Sequence, residues 1–290
     1  NTGAAPMIVI TGATGQLGRL VAERLLERLP AAEVGVSVRE PGNARALGER
    51  GVRVRRGDYD DPASLRHAFE DASTVLLVSA NTHGDQALRQ HRAAIDAAQA
   101  AGAQRIVYTS HMGAGAASAF VPMVDHAATE AVLEGSGAVF TSLRNGFYTA
   151  SGLMFMGQAL QTGKLIAPED GPVSWTAHAD LAEAAAIALT DAGSLDGLTS
   201  PLTSSEALDL ADIATVASAV TGREITRVTV SDDEYRAGMV ARGVPEAQAD
   251  LLLGVFAASR RGEFAAVDPT LEQVLGRAPT SVRDVIAAGE

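Results

Sequence analysis

The sequence contains no cysteine, and this absence excludes disulfides, cysteine nucleophiles and metal sites with cysteine ligands. Lysine is nearly absent as well, because 22 of the 23 basic residues are arginines and Lys164 is the single lysine. A mechanism that requires a lysine side chain must therefore use Lys164.

Long apolar runs and a surplus of basic residues are also missing. No apolar stretch is long enough to span a bilayer, and the N-terminal residues show no secretory signal. The net charge of −12 argues against nucleic acid as a partner, since neutralising a nucleic-acid backbone needs a basic surface, but a few local arginines can still serve a phosphorylated cofactor. We expect a cytoplasmic protein without a membrane or nucleic-acid partner. The sequence is compatible with a homodimer. Residues 1–6 precede Met7 and are interpreted as a leader or an expression remnant.

The most informative motif follows a short β-branched run at 7–11. Glycines occur at Gly12, Gly15 and Gly18, around the start of a helical pattern near Gln16. In a strand–turn–helix unit the first glycine permits the sharp turn, the second lets a pyrophosphate approach, and the third allows close packing of helix on sheet. The free amides at the helix start then face the phosphates. The motif predicts a dinucleotide site, with glycine used only for packing as the structural alternative.

Strand and helix patterns alternate along the first half of the chain. This order predicts an α/β fold, namely a Rossmann-type doubly wound parallel sheet with a smaller, mainly helical C-terminal lobe. At 290 residues, of which 47% are hydrophobic, the chain can form one large domain or two modest ones. The expected strands are 7–11, 33–38, 52–56, 74–79, 105–109 and 138–143, with two more near 198–202 and at 225–230.

Two domains are expected from the change in composition after residue 150. The nucleotide-binding domain covers 7–150 and is completed by about 172–190. The smaller substrate-binding lobe covers 151–171 and 191–290, with a helix over 206–221. The cleft between them is expected at the carboxyl ends of the strands, where open α/β sheets bind ligands.

The end of the second expected strand indicates which nucleotide is bound. A carboxylate there would bond the ribose 2′-hydroxyl, but this strand ends in Arg39. An arginine fork suits a phosphate monoester, which favours NADP(H) over NAD(H). A solvated surface arginine is the alternative interpretation, and the adjacent Glu40 weakens the argument, so NAD(H) stays open.

Further cofactor contacts are expected at the ends of the later strands. Asp58 and Tyr59 fall where a carboxylate can accept from the adenine amino group, although the helix-entry turn at Asp61-Pro62 also explains an acidic cluster. Ser79, Ala80 and Asn81 follow the fourth strand and should lie beneath the ribose and pyrophosphate. Towards the nicotinamide we expect Thr109, Asn145, Gly146 and Phe147.

Six short motifs are similar to those of one protein family: Thr-Gly-Ala-Thr-Gly-Gln-Leu-Gly (11–18), Val-Arg (38–39), Gly-Asp-Tyr (57–59), Tyr-Thr-Ser (108–110), Thr-Glu (129–130) and Leu-Arg-Asn-Gly-Phe-Tyr (143–148). The chain resembles the NmrA-like atypical short-chain dehydrogenases, and among them the bacterial type 2 NAD(P)H:quinone oxidoreductases. The resemblance extends over nearly the whole length. It implies a Rossmann fold, NADPH as ligand, and either quinone reduction or sensing of the redox ratio. The cofactor contacts that it implies are Gly12, Thr14, Gln16, Leu17, Arg39 and Asn145.

The chain departs from the standard short-chain dehydrogenases in its catalytic pair. Those enzymes use Tyr-x-x-x-Lys on the helix after the fifth strand, where lysine lowers the tyrosine pKa. Here Pro122 stands at the tyrosine position and His126 at the lysine position, and Lys164 lies well outside. Alcohol–ketone chemistry by that route is therefore disfavoured. A quinone accepts hydride readily and needs no strong proton donor, so the departure is compatible with quinone reduction and equally with sensing.

Three side chains are candidate hydrogen-bond donors to a substrate. Ser110 stands at the position of the family's active-site hydroxyl, while His111 and Tyr148 are equally explained as a loop histidine and a packed tyrosine. We expect no metal, because an exposed helix pair explains the spacing of His126 and Glu130. The apolar stretch 153–156, with Trp175, is either a wall for an aromatic ring or core.

The sequence therefore predicts an NADPH-dependent oxidoreductase that transfers hydride to a quinone or related aromatic. A first alternative is a tailoring oxidoreductase for a polycyclic aromatic, polyketide-type metabolite. The arginine-rich, lysine-poor composition resembles that of high-GC bacteria, in which such secondary metabolism is common. A second alternative is a non-catalytic NADP(H) sensor that acts through a protein partner.

Overall fold

The computed structural model describes residues 6–289, so the expected leader lies outside the described residues except for Pro6. Over that range, no helix combines the length and the apolar character that crossing a bilayer requires. The chain divides into two compact units. The first comprises the residues up to Ser110 with Asp125–Arg144 and Leu181–Thr199, and the second comprises His111–Val124, Asn145–Asp180 and the residues from Ser200 onward.

The strands form one large and one small sheet. Numbered along the chain, they are β1 (Met7–Thr11), β2 (Val34–Val38), β3 (Arg53–Arg56), β4 (Ala72–Leu77), β5 (Arg105–His111), β6 (Val139–Asn145), β7 (Lys164–Ala167), β8 (Gly197–Leu198) and β9 (Thr226–Thr229). Within the described residues, the large sheet has seven strands in the order β3-β2-β1-β4-β5-β6-β8. The expected Rossmann-type parallel sheet is confirmed, with parallel pairing of β1 to both of its neighbours.

The helices separate successive strands of the large sheet and make up most of the C-terminal half. They are α1 (Gln16–Leu26), α2 (Arg45–Glu49), α3 (Pro62–Ala68), α4 (Gly84–Ala100), α5 (Val121–Gly135), α6 (Thr149–Met154), α7 (Ala159–Thr162), α8 (His178–Thr190), α9 (Leu210–Thr221), α10 (Asp232–Ala241), α11 (Glu246–Arg260), α12 (Thr270–Leu275) and α13 (Val282–Ala288). Asp61 accepts from the backbone N–H of Ser64 and so caps α3, as the sequence predicts.

The position of β1 in the large sheet determines where a ligand can bind. Val9 and Ile10 are fully buried, and β2 is buried along its whole length, as expected for parallel strands covered on both faces. The strand order reverses at β1, since β2 and β3 lie on one side and β4 and β5 on the other. The connections after β1 and β4 therefore diverge at the carboxyl edge and form the crevice in which such sheets bind ligands.

Several elements differ from the sequence-based expectation. The strand expected near 198–202 is only the two residues of β8, and the helix expected over 206–221 begins at Leu210. It begins there because Asp209 and Asp212 form a reciprocal capping box that fixes the first turn. The glycine-rich segment 146–171, in which no element was expected, contains two short helices and β7.

The second unit has a core of its own. Its small sheet pairs β7 with β9 in parallel. Trp175 is 2% exposed, and its Nε1–H donates to the carbonyl of Leu208 at 2.9 Å. Met156 is buried in the same core, whereas Met154 is 80% exposed. Trp175 and Met156 are therefore core residues, and the interpretation of this apolar stretch as a wall for an aromatic ring does not apply to them.

A buried carboxylate fastens α5 to β6 in the first unit. Glu130 accepts from the Arg144 guanidinium at 2.9 and 3.1 Å and from the Ser142 hydroxyl at 2.8 Å. Its side chain is 4% exposed, and these three donors compensate for its removal from water. The prediction that His126 and Glu130 form an exposed pair is therefore wrong, because Glu130 faces the interior and binds Arg144.

Replacing this carboxylate should be costly. Glu130→Ala leaves Arg144 without its partner and is expected to lower the free energy of unfolding by about 2–4 kcal/mol in urea denaturation. The matched control is Glu27→Ala, which removes a 3.0 Å pair with Arg24 whose carboxylate is 62% exposed. That change should cost less than about 0.5 kcal/mol. Equal losses in the two variants would contradict a structural role for the buried pair.

Candidate functional site

The loop between β1 and α1 is built on close backbone approaches. Gly12 has a φ of +60°, and the Gly15 N–H donates to the Gly12 carbonyl at 3.0 Å. A Cβ on Gly18 would lie 2.1 Å from that same carbonyl oxygen, so only glycine fits there. Gly15 is the N-cap of α1 and provides no side-chain cap, and Thr14 and Gln16 are exposed. The first amides of α1 are thus available to an anion.

The segment after β4 lies directly against this loop. A Cβ on Gly12 would come within 3.1 Å of the Val78 Cβ. The Tyr59 hydroxyl donates to the Val78 carbonyl at 2.5 Å and lies 2.7 Å from the Thr11 hydroxyl. Burial raises the pKa of the Tyr59 hydroxyl, so it stays protonated. Tyr59 therefore fastens the segment after β3 to the segment after β4.

The ends of β2 and β3 carry the remaining residues expected around the adenosine. Arg39 is exposed and, among the residues that the structure describes, has no ion-pair partner. Glu40 instead accepts from the Asn43 side chain at 3.3 Å. Asp58 accepts from the backbone N–H of Asp60 at 2.9 Å, which orders the turn before α3. The Arg39 guanidinium is therefore available to a phosphate monoester.

Thr109 and Ser110 extend the site along β5. The Thr109 hydroxyl accepts from the Ser79 N–H at 2.9 Å and so connects β5 to the segment after β4. Ser110 is 4% exposed, and its Oγ has no hydrogen-bond partner among residues 6–289. A buried hydroxyl without a protein partner is unusual, and this one is available for a hydrogen bond to a ligand.

Three of the expected cofactor contacts belong to the second unit. Asn145 is 3% exposed, its carbonyl accepts from the Met112 N–H at 2.8 Å, and its Oδ1 has no partner within the described chain. Gly146 must be glycine, because a Cβ would lie 2.3 Å from the Thr176 Oγ1. Phe147 is 9% exposed and packs edge-on against Phe264 at 5.0 Å between ring centroids. Asn145 thus offers a polar atom, whereas the Phe147 ring belongs to the core.

His111 and Tyr148 are both neutral at physiological pH. The Nδ1 atom of His111 accepts from the Gly113 N–H at 3.0 Å, and burial lowers the pKa of His111 to about 3. The proton of this imidazole is therefore on Nε2. Burial raises the pKa of Tyr148 to about 12, and its ring stacks on His178 at 3.9 Å between centroids. Each side chain can donate a hydrogen bond but not as a charged acid.

His126, which stands at the lysine position of the Tyr-x-x-x-Lys pattern, has a structural role. The Nδ1 atom of His126 lies 2.6 Å from the Tyr108 hydroxyl, and Tyr108 is fully buried. Asp125 accepts from the Gly84 N–H at the start of α4 at 3.1 Å. Across the described residues, no three imidazole or carboxylate groups are placed to hold a metal ion.

Sequence reasoning missed the side chains that hold the segment after β4. Thr11 and His91 accept from its backbone amides, and neither was singled out. The signal for His91 was its position on α4, where it occurs among the buried positions Ala87, Ala94 and Ile95. A polar residue on the buried face of a helix needs an internal partner.

Comparison with known proteins gives consistent results. The sequence profile of the NmrA-like family matches residues 5–285. Quinone oxidoreductase 2 of Escherichia coli (strain K12) is 35% identical to this chain over 282 residues, which cover 97% of this chain and 98% of that protein.

Two solved structures are similar over nearly their whole length. The crystal structure of NADPH-dependent quinone oxidoreductase from Escherichia coli complexed with NADPH has a TM-score of 0.91 at 34% identity and covers 97% of this chain and 99% of that one. The Citrobacter sp. triphenylmethane reductase complexed with NADP(H) has a TM-score of 0.89 at 30% identity, covering 98% of this chain and 100% of that one.

The glycine loop provides a direct test of the site. Gly18→Ala is expected to displace the Gly12 carbonyl and to abolish measurable binding of a pyridine dinucleotide by calorimetry. Gly42→Ala is the matched control, since a Cβ at Gly42 meets nothing within 4 Å. That control should bind as the unaltered chain does. Wild-type affinity in Gly18→Ala would show that the loop does not receive the phosphates.

Proposed function

The chain belongs to the NmrA-like family, and from this premise we propose that it is an NADPH-dependent oxidoreductase whose acceptor is a quinone or a related aromatic compound. The observation that carries the proposal is the glycine loop at the reversal of strand order, where the carbonyl of Gly12 leaves no room for a Cβ on Gly18. Such a loop brings uncapped helix amides to a pyrophosphate.

The residues present fit NADPH. The phosphates suit the exposed residues Thr14–Gln16, and the 2′-phosphate suits the exposed Arg39, which has no ion-pair partner within residues 6–289. The buried Oγ of Ser110 and Oδ1 of Asn145, which lack partners among the described residues, are suited to the polar groups of the nicotinamide end or the substrate. Leu17 is 6% exposed, so we assign it a backbone contact only.

Bound NADPH supplies a hydride, and the side chains of this protein hold and polarise the acceptor. Ser110 and Tyr148 are our candidate donors to the acceptor oxygens, and the pKa of about 12 keeps the Tyr148 hydroxyl protonated. The neutral imidazole of His111 is the third candidate. A reduced quinone oxygen is far less basic than an alkoxide, so neutral donors and correct orientation suffice without a Tyr/Lys pair.

Cofactor selectivity should depend on Arg39. Arg39→Ala removes the charge-assisted bonds to the 2′-phosphate and is expected to weaken NADPH binding by about 10- to 100-fold while NADH binding stays within about twofold. Isothermal calorimetry with both cofactors measures this difference. Arg45→Ala, an exposed arginine paired with Glu49 at 3.0 Å, is the matched control. Equal weakening of NADPH and NADH in Arg39→Ala would overturn the assignment.

The acceptor is tested by steady-state oxidation of NADPH with a panel of quinones, repeated with NADH. We expect turnover that favours NADPH. The double variant Ser110→Ala, Tyr148→Phe should lower kcat at saturating NADPH by about 10-fold or more, because it removes the proposed hydrogen bonds to the acceptor. Tight NADPH binding without turnover of any quinone would contradict the acceptor class, and a fully active double variant would contradict the donors.

A further inference from the structure

We propose that His91 is a positioning residue for the cofactor: as a neutral imidazole protonated on Nδ1, it holds the segment after β4 in place at the carboxyl edge of the sheet. This inference rests on the proposed function, since that segment faces the same cofactor site. His91 itself is buried at 2% exposure and touches no substrate.

The segment after β4 is irregular, and its backbone amides have no strand to pair with. Three consecutive amides each donate instead to a side chain from a different element. They are Val78 N–H to Thr11 Oγ1 at 2.8 Å, Ser79 N–H to Thr109 Oγ1 at 2.9 Å, and Ala80 N–H to His91 Nε2 at 2.9 Å. The course of this segment is thus set by two hydroxyls and one imidazole.

The hydrogen-bond partners of His91 determine its tautomer. An amide N–H can only donate, so the Nε2 atom that faces Ala80 must be the acceptor and carries no proton. The proton of the neutral ring is then on Nδ1, which lies 2.8 Å from the Oγ1 of the fully buried Thr129 and donates to it. Burial lowers the pKa of His91 to about 4, so this neutral form persists throughout the physiological range.

The imidazole is also held from its sides. The Tyr108 ring meets it edge-on at 5.5 Å between centroids, and the Tyr59 ring does so at 6.4 Å. The Tyr108 hydroxyl is in turn 2.6 Å from the Nδ1 atom of His126. Rotation of His91 away from Ala80 would disturb these packed neighbours, so its orientation is fixed.

The anchored segment matters because it supports the glycine loop. A Cβ on Gly12 would lie 3.1 Å from the Val78 Cβ, so the two backbones are in close contact. Loss of the acceptor at Ala80 would leave a half-buried amide without its partner and favour a shift of the segment towards water. Such a shift would move the surface on which the cofactor is proposed to lie. It would do so without altering any group that contacts the reacting atoms.

Two substitutions at position 91 separate hydrogen bonding from packing. His91→Leu retains much of the volume but removes the acceptor, and it is expected to raise the dissociation constant for NADPH about tenfold. His91→Gln can place its side-chain oxygen near the Nε2 position and should restore affinity to within about threefold of the wild type. In both variants kcat at saturating NADPH should stay within about twofold, because no donor to the acceptor is altered.

Thr141→Val is the control for a loss of stability alone. Thr141 is fully buried and binds Arg105 at 2.6 Å, away from the segment after β4. It should lower the melting temperature without changing the dissociation constant for NADPH. If His91→Leu binds NADPH as tightly as wild type, or if Thr141→Val weakens binding equally, the positioning role is wrong.

Nitrogen-15 spectra of the imidazoles test the tautomer in the unaltered protein, with the His91→Gln spectrum used to assign the signal. We expect Nδ1 protonated and Nε2 unprotonated at neutral pH, and the opposite tautomer would overturn the inference even if His91→Leu fails to fold. Failure of the wild type to bind NADPH would overturn the proposed function instead, which the spectra would leave unaffected.

Discussion

The close approach of the glycine turn to the end of β4 is the constraint on which the rest of the site depends. Gly12 can lie against Val78, and Gly18 against the Gly12 carbonyl, only because these glycines have no side chain. The approach occurs where the strand order reverses, and it leaves the first amides of α1 uncapped at the carboxyl edge. Backbone dipoles at these amides favour an anion there, and they do so even in a chain of net charge −12.

The polar groups buried beneath this site compensate for an irregular backbone. A segment that leaves a parallel sheet cannot satisfy its amides through the ladder, and an unpaired buried amide is costly. Thr11, Thr109 and His91 provide the acceptors that the sheet does not. Each acceptor is fixed by its own burial and partners, so the segment has one favourable course. These buried polar side chains fix the conformation of a loop rather than stabilise a hydrophobic core.

Much of the fold could be predicted from the sequence, because strands such as Val34–Val38 are short β-branched runs with clear helix signals between them. The second unit was harder. Lys164–Ala167 becomes a strand only by pairing with Thr226–Thr229, a contact some sixty residues away that no local pattern indicates. The spacing of the glycines predicted the tight turn at Gly12, whereas the phosphate contact expected of Arg39 from its place after a strand stays a prediction. The role of His91 as a hydrogen-bond acceptor could not be predicted, because the sequence does not indicate which backbone amide its side chain faces.

The protonation states of the three candidate donors limit the chemistry that each of them can support. Burial lowers the pKa of His111 to about 3 and raises that of Tyr148 to about 12, and Ser110 does not titrate. None of these groups changes charge near neutral pH, and none can deliver a proton as a strong acid. Neutral donors of this kind are poorly suited to a carbonyl that becomes an alkoxide. They are better suited to an acceptor whose reduced oxygen is stable as an anion, for which neutral hydrogen bonds and orientation provide enough stabilisation.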